Sequence, residues 1–400
     1  MNSTDPFDLG AFTTNPDVAW TLPAPYYYNR EIYDAETQHI FSKSWRLAGH
    51  VTQLKDPGDY VTENICGNAV FVVRAADGEL HAFHNVCRHR AHRLLAERSG
   101  NVSGAIRCPY HGWTYGLTGA LLAAKHADAI SEFKHTDHGL VRIRVEIFCG
   151  FVFVNLCENA TSLALHAPGF ESTLRRFVPD LDRMVFTGQD SFDIGANWKV
   201  VAENSIDWYH VYLSGPAHRA FGKIVDRGNI RTVCRPNWIW LRGAEGSPDN
   251  GAYDFRLNAG QGQTSEYVTF FLWPDLLIFT YPHVNAVWTF LMAPSGPERT
   301  REEIAAFTPD GVQLDAVTEK AIDWMGKVIG PEDVDLNVGV QQGLHSDSYT
   351  QGRLLIDPDF QEVSEHGIHY FQTHVLESLG RLPRGSAETL LSDESELDEG

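Results

Sequence analysis

The chain has 400 residues, 43% hydrophobic and 12% aromatic, which is enough for one large or two ordinary domains with a substantial core. Its 52 acidic residues outnumber its 32 basic residues, and the resulting net charge of -20 disfavours a nucleic-acid partner held through phosphate contacts. The N-terminal segment has no basic stretch followed by an apolar run, and no apolar stretch approaches the ~20 residues of a spanning helix. We therefore predict a cytoplasmic protein without a membrane partner.

The first part of the chain predicts a lead-in segment followed by a small β domain. Residues 1–45 contain the Pro-rich stretch TLPAPYYYN and then apolar residues at helical spacing, which predict an N-terminal arm and a helix. Residues 46–157 contain short strand-like runs broken by turn residues. Asp77-Gly78 between two such runs is a strong hairpin signal. We predict an antiparallel β domain over 46–157.

Two short Cys/His pairs lie within this β domain. Cys87-x-His89 and Cys108-x-x-His111 each supply one thiolate and one imidazole. Zinc is one candidate, although a conventional zinc finger groups Cys with Cys and His with His. The order Cys-His then Cys-His better fits a Rieske 2Fe-2S cluster, in which two His replace two Cys on one iron. The remaining cysteines have no framework spacing and are predicted to be buried reduced thiols: Cys66, Cys149, Cys157 and Cys234.

The second half of the chain predicts an α+β fold. Residues 158–183 suggest a connecting helix that ends near Val178-Pro179, and residues 184–385 alternate strand-like runs with helical stretches near 302–329 and 365–379. This pattern predicts a second domain with a central antiparallel sheet and flanking helices. Residues 386–400 are acidic and nearly without apolar side chains towards their end, which predicts a disordered tail.

A second candidate metal site begins in the stretch NWKVVAENSIDWYHVYLSGPAH. Asp207 and His210 would share one face of a helix, because they are three residues apart. Ser214-Gly215-Pro216 should break that helix and allow the chain to fold back, bringing His218 towards His210. Two His and one carboxylate form a non-haem iron(II) site with open positions. On chemistry alone the carboxylate could come from Glu332, Asp333 or Asp335.

Several of these motifs resemble those of the large (alpha) subunits of Rieske non-haem iron oxygenases, the aromatic-ring-hydroxylating dioxygenase family. The loops read CxHR and CPYHGW, as in the cluster-binding loops of that family, and NWK followed by E-N-x-x-D-x-x-H resembles its catalytic signature. The resemblance implies an N-terminal Rieske domain and a C-terminal catalytic domain. It also implies that Cys87, His89, Cys108 and His111 hold the cluster.

The same resemblance assigns roles at the second site. Glu332-Asp333 with Gln341, Gly343 and Leu344 resembles the late carboxylate segment of the family, which places Asp333 at the ligand position beside His210 and His218. The family usually has four residues between its paired His ligands. Seven separate them here, and Gly215 stands at the usual position.

Asp207 corresponds to the carboxylate that in the family joins the cluster domain of a neighbouring subunit to the catalytic iron. The resemblance therefore implies a homotrimer, with or without small beta subunits. It also implies an oxygenase that takes electrons from NAD(P)H through a separate reductase, directly or through a ferredoxin. The sequence has no Gly-rich dinucleotide fingerprint, which agrees with an external reductase.

The predicted reaction inserts oxygen from dioxygen into an organic substrate. Aromatic side chains around the second site would suit an aromatic ring, which we favour, or a quaternary ammonium or N-methyl compound, which is the alternative. An electron-transfer protein with a degenerate iron site is a hypothesis of another class. The residues expected to line the cavity are Ser205, Ile206, Trp208, Leu213, Trp273, Phe279, Tyr281, Trp288 and Phe290.

Overall fold

The computed structural model describes residues 5–244, 246, 262–312, 315–357 and 364–392. Contacts divide the chain into two compact units. The first consists of Met1–Ile40 together with Ala164–Gly400, and the second of Phe41–Leu163. The N-terminal arm therefore groups with the C-terminal half of the chain.

The 41–163 unit is built from antiparallel strands, as the sequence predicted. One sheet has the strand order β1-β10-β9-β4-β3-β2-β5, and a smaller one has the order β6-β7-β8. The strands are β1 (Arg46–His50), β2 (Asp59–Ile65), β3 (Asn68–Arg74), β4 (Leu80–His84), β5 (Ser99–Asn101), β6 (Ala105–Arg107), β7 (Thr114–Gly116), β8 (Leu121–Ala123), β9 (Arg142–Phe148) and β10 (Phe151–Asn155).

The predicted hairpin around Asp77-Gly78 is confirmed. Strand β3 pairs with β4 in antiparallel register, with Phe71 opposite Phe83, and Gly78 has a φ of 86°. The turn uses glycine because an L side chain rarely adopts that backbone conformation. Phe71 and Phe83 are fully buried and pack in one core with Tyr115 of the smaller sheet. This core supports the loops that carry the two Cys/His pairs.

The other unit contains one antiparallel sheet, ordered β11-β17-β16-β15-β14-β13-β12. Its strands are β11 (Met184–Ile194), β12 (Arg231–Arg235), β13 (Trp238–Ala244), β14 (Glu266–Leu272), β15 (Leu276–Thr280), β16 (Val287–Gly296) and β17 (Arg299–Pro309). The helices are α1 (Arg30–Glu36), α2 (Leu163–His166), α3 (Phe170–Phe177), α4 (Trp198–Ile206), α5 (Pro216–Phe221), α6 (Ala316–Trp324), α7 (Gly330–Leu344) and α8 (His366–Ser378). The α+β fold class is confirmed.

Helices cover both faces of this sheet. On one face Phe170 and Phe177 of α3 pack against Phe270 of β14. On the other face Phe371 of α8 packs against Phe271, the next residue of that strand. Neighbouring side chains of a strand point to opposite faces, so this strand can be apolar throughout and buried on both sides. Among the described residues no helix is long and apolar enough to cross a membrane.

The predicted helix over 302–329 is wrong in its first part. Residues Arg299–Pro309 form β17, which pairs with β11 and β16, and helix begins only at Ala316. In β17 the residues Glu302, Ile304 and Ala306 point to one face of the sheet, because side chains alternate along a strand. Tertiary pairing on both sides outweighs the helix propensity of the Glu- and Ala-containing segment.

Two smaller expectations also changed. The connecting segment is two short helices, α2 and α3, rather than one continuous helix, and a Gly169 at a φ of 81° separates them. Of the tail predicted to be disordered over 386–400, the described part contains a 3-10 turn at Ala387–Leu390, and Ser392 bonds to Cys234. Residues 393–400 lie outside the described residues.

Hydrogen bonds fix α4 and α7 relative to each other. The side chain of Asn197 caps α4 by accepting from the backbone N–H of Lys199, and its own backbone N–H donates to Gln341 of α7 at 2.9 Å. Lys199 also forms a fully buried ion pair with Glu36 of α1, at 2.5 Å. These contacts join the N-terminal end of α4 to α1 and to the C-terminal half of α7.

Candidate functional site: a cluster loop pair and a second metal centre

The two Cys/His pairs lie on two loops of similar geometry. Cys87 follows β4, and Cys108 lies between β6 and β7. In each loop the residue four places after the Cys, Ala91 or Gly112, has a positive φ and donates its backbone N–H to the carbonyl oxygen of that Cys. Such a turn lets a Cys and the nearby His project in the same direction, as metal donors on one loop require.

The four predicted cluster residues come together. Both Cys side chains are buried, whereas both His side chains are exposed and their ring centroids are 4.6 Å apart. His89 also stacks on Trp113, at a centroid distance of 4.9 Å. The Tyr115 hydroxyl lies 3.3 Å from the Cys87 sulfur and accepts the backbone N–H of Arg88 at 3.0 Å. Tyr115 is therefore both a core residue and a neighbour of the candidate cluster.

The arrangement separates a thiolate pair from an imidazole pair. The four Cys and His side chains of the two loops do not form such a single-ion group. Within the described residues, the group of His, Cys, Asp or Glu side chains that converges tightly enough to hold one ion lies at the second centre. A zinc ion needs four donors around one point. A two-iron cluster instead has two Cys on one iron and two His on the other, and so spreads its four donors.

At the second centre, Asp207 and His210 are joined by a turn rather than by a continuous helix. Helix α4 ends at Ile206, Asp207 has extended backbone angles, and His210 begins a 3-10 turn. The prediction that they share a helix face is therefore wrong, but they are in contact. The Asp207 carboxylate accepts a hydrogen bond from Nδ1 of His210 at 2.9 Å and from the backbone N–H of Tyr209 at 2.7 Å.

The chain reverses at Gly215, as predicted, and Pro216 starts the short helix α5. Pro suits this first helical position because its missing N–H would have no partner there. His218 lies in α5 and is almost fully buried, and its ring centroid is 5.1 Å from that of His210. The seven-residue spacing therefore still brings the two imidazoles together.

Asp333 in the first turn of α7 completes the group. His210, His218 and Asp333 each offer one donor atom, and these atoms lie within 4.8 Å of one another. Nε2 of His218 is 2.9 Å from the Asp333 carboxylate, and Nε2 of His210 is 3.9 Å from it. Two imidazoles and one carboxylate are the donor set that non-haem iron(II) uses. The exposed Asp335 is outside this group.

Glu332 has a separate contact that the sequence did not reveal. Its carboxylate accepts from Nδ1 of His218 at 2.6 Å and from the backbone N–H groups of Ala217 and His218 at 3.1 Å each. Burial opposes ionisation of Glu332, but these hydrogen bonds outweigh it and lower the pKa of the carboxyl group. The sequence signal was weak, since Glu332 was only one of three adjacent carboxylates.

The two imidazoles are held in matching ways. Asp207 accepts from Nδ1 of His210, and Glu332 accepts from Nδ1 of His218. A carboxylate bonded to one ring nitrogen fixes the tautomer and directs the other nitrogen towards a metal. In both rings Nε2 is the nitrogen that faces Asp333.

Gly215 is required for space. A Cβ atom built on it would lie 2.2 to 2.4 Å from the carboxylate of Glu332, much closer than non-bonded atoms approach. Any side chain at position 215, where the family usually has its second His ligand, would therefore displace the carboxylate of Glu332. In this chain the second imidazole comes from His218 instead, three residues later.

A cavity adjoins the three converging side chains. Of the residues predicted to line it, Ser205, Trp208, Phe279, Tyr281 and Phe290 do so. Among the predicted residues that do not, Leu213 is largely exposed, Trp273 packs on Phe371 of α8, and Trp288 stacks behind Phe279. The described lining also includes Asn204, Val211, Phe221, Tyr267, Leu277, Glu302, Met325 and Ile329.

Comparison with known proteins identifies the family. Residues 44–134 match the Rieske [2Fe-2S] domain, and residues 181–381 match the catalytic domain of the ring-hydroxylating alpha subunit. The chain is 34% identical over 363 residues to the carnitine monooxygenase oxygenase subunit of Acinetobacter baumannii. The aligned residues make up 90% of this chain and 95% of that protein.

Solved structures agree with these matches. A quaternary ammonium Rieske monooxygenase in complex with its substrate L-carnitine superposes with a TM-score of 0.82 at 33% identity, covering 92% of this chain and 97% of the other. Naphthalene 1,2-dioxygenase from Rhodococcus sp. superposes with a TM-score of 0.73 at 19% identity, over 91% and 95% of the two chains. At that identity the likeness concerns the fold alone.

Both domain types are thus present in one chain. The chain belongs to the Rieske non-haem iron oxygenases, as an oxygenase (alpha) subunit whose cofactors are a 2Fe-2S cluster and a mononuclear iron.

Proposed function

We propose that this oxygenase subunit is a monooxygenase of a small quaternary ammonium compound. The observation that carries the proposal is the cavity beside the converging His210, His218 and Asp333, which combines aromatic walls with a buried carboxylate. A quaternary ammonium has no N–H group, so a protein recognises it through charge and through aromatic faces. The relative from A. baumannii and the solved structure with L-carnitine, both matched over nearly their whole length, support the same substrate class.

An aromatic substrate, which the sequence analysis favoured, is the weaker proposal. The aromatic walls of the cavity suit either class. The aromatic-ring dioxygenase to which the chain is similar shares only 19% identity with it, whereas the quaternary ammonium enzyme shares 33%. The buried carboxylate is unfavourable next to an uncharged ring and favourable next to a cation.

The proposed iron ligands are Nε2 of His210, Nε2 of His218 and a carboxylate oxygen of Asp333. When bound there, iron supplies the reduction and activation of dioxygen. Asp207 and Glu332 act on the imidazoles, because each accepts the Nδ1 proton and keeps the ring in one tautomer. Cys87, His89, Cys108 and His111 are the proposed cluster ligands, with the exposed imidazole pair on the surface side.

Asp207 is also proposed to link the two redox centres between subunits. Its side chain remains 17% exposed beside His210, so a donor from another subunit can reach it. The solved quaternary ammonium monooxygenase is described as having inter-subunit electron transfer. We propose a homotrimer for this chain on the same basis, with a reductase that delivers electrons from NAD(P)H, directly or through a ferredoxin.

The net reaction consumes one dioxygen, two electrons and two protons for each substrate. One oxygen atom enters a C–H bond next to the ammonium nitrogen and the other leaves as water. Dioxygen uptake should be measured with the purified subunit, a Rieske-oxygenase reductase and NADH, using L-carnitine, γ-butyrobetaine, glycine betaine and choline, with benzoate and naphthalene as comparison substrates. We expect uptake coupled to product only with a quaternary ammonium compound, with one labelled atom incorporated from ¹⁸O₂. Coupled turnover of the aromatic compounds alone would overturn the proposal.

A further inference from the structure

A carboxylate lines the cavity without having any part in the proposed iron site. Glu302 is in β17, between Phe192 of β11 and Met292 of β16 in the sheet register. It lines the same cavity as His210, His218 and Asp333, but it is not a member of the group that converges on one ion.

The cross-strand partners of Glu302 on this face of the sheet, Phe192 and Met292, are apolar, whereas Asp190 and Thr300 lie one pair further along. Two residues further along β17 is Ile304, which pairs with Phe290, and Phe290 pairs with Leu277. Phe290 and Leu277 line the cavity as Glu302 does. Because every second residue of a strand points to the same face, Glu302 occupies a position where an apolar residue would otherwise complete this wall.

Glu302 is 6% exposed. Among the described residues, no hydrogen-bond or ion-pair partner of its carboxylate is found, which distinguishes it from the other deeply buried glutamates of the unit. Glu36 is paired with Lys199 and Trp198, and Glu303 is paired with Arg301 at 3.1 Å. A buried carboxylate without a partner is costly, and such groups usually pair with a cation.

The electrostatics of the cavity point in the same direction. Burial, together with the negative charge of Asp333, raises the pKa of Glu302 to about 8, since both disfavour the ionised carboxylate. A substrate cation close to Glu302 would offset the larger of these effects, the cost of burying its charge. The aromatic side chains of Tyr267, Phe279 and Tyr281 line the same cavity, and their ring faces also attract a cation.

We propose that Glu302 is the counter-charge for the quaternary ammonium group of the substrate and selects a cation over a neutral molecule of the same shape. The inference rests on the proposed quaternary ammonium substrate and adds the residue that discriminates charge at that site. Glu302 is a specificity-determining residue in this assignment, distinct from the residues that hold the iron.

The test compares substrate binding by Glu302→Gln and wild type, using the full-length, cluster- and iron-loaded protein without oxygen. Calorimetry would measure the Kd of L-carnitine and that of its neutral isostere with a tert-butyl group in place of the trimethylammonium. Removing one partner of a buried charge pair typically weakens binding by 2 kcal/mol or more. We therefore expect the cation to bind roughly 30-fold more weakly to Glu302→Gln, since 1.4 kcal/mol is tenfold.

The neutral isostere separates charge recognition from loss of structure. It should bind Glu302→Gln at least as well as it binds wild type, because the glutamine has the same shape without the charge. The matched control is Glu303→Gln, which alters the adjacent carboxylate on the opposite face of β17 and should leave both Kd values within about twofold of wild type. The cluster spectrum and the iron content of each variant check that it is folded and loaded.

Three outcomes would overturn the inference: an unchanged Kd for the cation in Glu302→Gln, an equal loss for cation and isostere, or a wild type that binds the isostere as tightly as the cation. The last comparison needs no variant, so it can overturn the inference even if Glu302→Gln does not fold. Failure of the proposed function has a different signature. In that case no quaternary ammonium compound supports coupled oxygen uptake by the wild type, and the inference falls together with the proposed function.

Discussion

The two candidate metal centres differ in how their donor residues are brought together. The cluster residues come from two neighbouring loops of one small β domain, and each loop positions its own Cys and His through a local turn. The iron-site residues come from the 3-10 turn after α4, from α5 and from α7, which follows the entire sheet in sequence. A local site can be recognised as a motif, whereas a site assembled from distant segments depends on the packing that holds them.

The comparison is tested most strongly by removing one donor from each centre. His218→Ala should lose nearly all mononuclear iron and keep the cluster, and His111→Ala should do the reverse. In His218→Ala the content of mononuclear iron should fall from about one per chain to almost none, because a three-donor site seldom tolerates the loss of a ligand. Iron and sulfide analysis with electron paramagnetic resonance of the reduced protein would measure both centres. Loss of both in either variant would contradict two independently formed sites.

Asp207→Asn should separate metal binding from turnover. The asparagine keeps the size of the side chain but removes the carboxylate that accepts the Nδ1 proton of His210. At a saturating concentration of iron, we expect the iron and the cluster to be retained and turnover to fall by roughly 100-fold, at the upper end of the usual effect of such outer carboxylates. Steady-state oxygen uptake would be measured alongside the metal content. Normal activity would exclude Asp207 from electron transfer.

Glu332→Gln tests the non-local partner of the second imidazole. The carboxylate that accepts from His218 and from two backbone N–H groups would become a weaker acceptor. We expect the iron dissociation constant to rise about 30-fold, within the range of 10- to 100-fold typical of such partners. Asp335→Asn is the matched control, because it alters an exposed carboxylate of the same helix and should leave iron binding unchanged.

Gly215→Ala should have a smaller effect of the same kind. The added methyl group must displace the Glu332 carboxylate, which is the flexible end of a side chain and can move. We expect iron affinity to fall about tenfold, at the lower end of the effect of losing an outer carboxylate. Metal titration of the variant would measure it. If Gly215→Ala bound iron as tightly as wild type, the claim that position 215 must be glycine to leave space for the Glu332 carboxylate would be refuted.

The smallest effect is expected at the cluster loops. Tyr115→Phe removes a hydroxyl that lies 3.3 Å from the Cys87 sulfur without removing a cluster ligand. Hydrogen bonds to the sulfurs raise the reduction potential of such clusters. With ~1 kcal/mol for the bond and 59 mV for each 1.4 kcal/mol, the potential should fall by about 40 mV. Spectroelectrochemistry would detect that shift, and an unchanged potential would show that this hydroxyl does not interact with the cluster.

The sequence by itself determined the chemistry of this protein. The mixed Cys/His pairs indicated a Rieske cluster, because the loops that hold its ligands are short and keep the Cys and His close in sequence. Two His and a late carboxylate indicated non-haem iron, and the period-two runs of the second half indicated an antiparallel sheet. The hairpin at Asp77-Gly78 was equally local and was predicted from its turn residues, whereas its register came from the structure.

Only the tertiary structure decided the details of the second centre. Asp333, Glu332 and Asp335 are chemically equivalent in sequence, and they differ because α7 packs so that Asp333 faces the imidazoles while Glu332 reaches α5. Glu302 was assigned to a helix on local propensity, and pairing with β11 and β16 made it part of a strand that faces the cavity. Local patterns cannot specify these outcomes, because each depends on contacts between segments that are far apart in the chain.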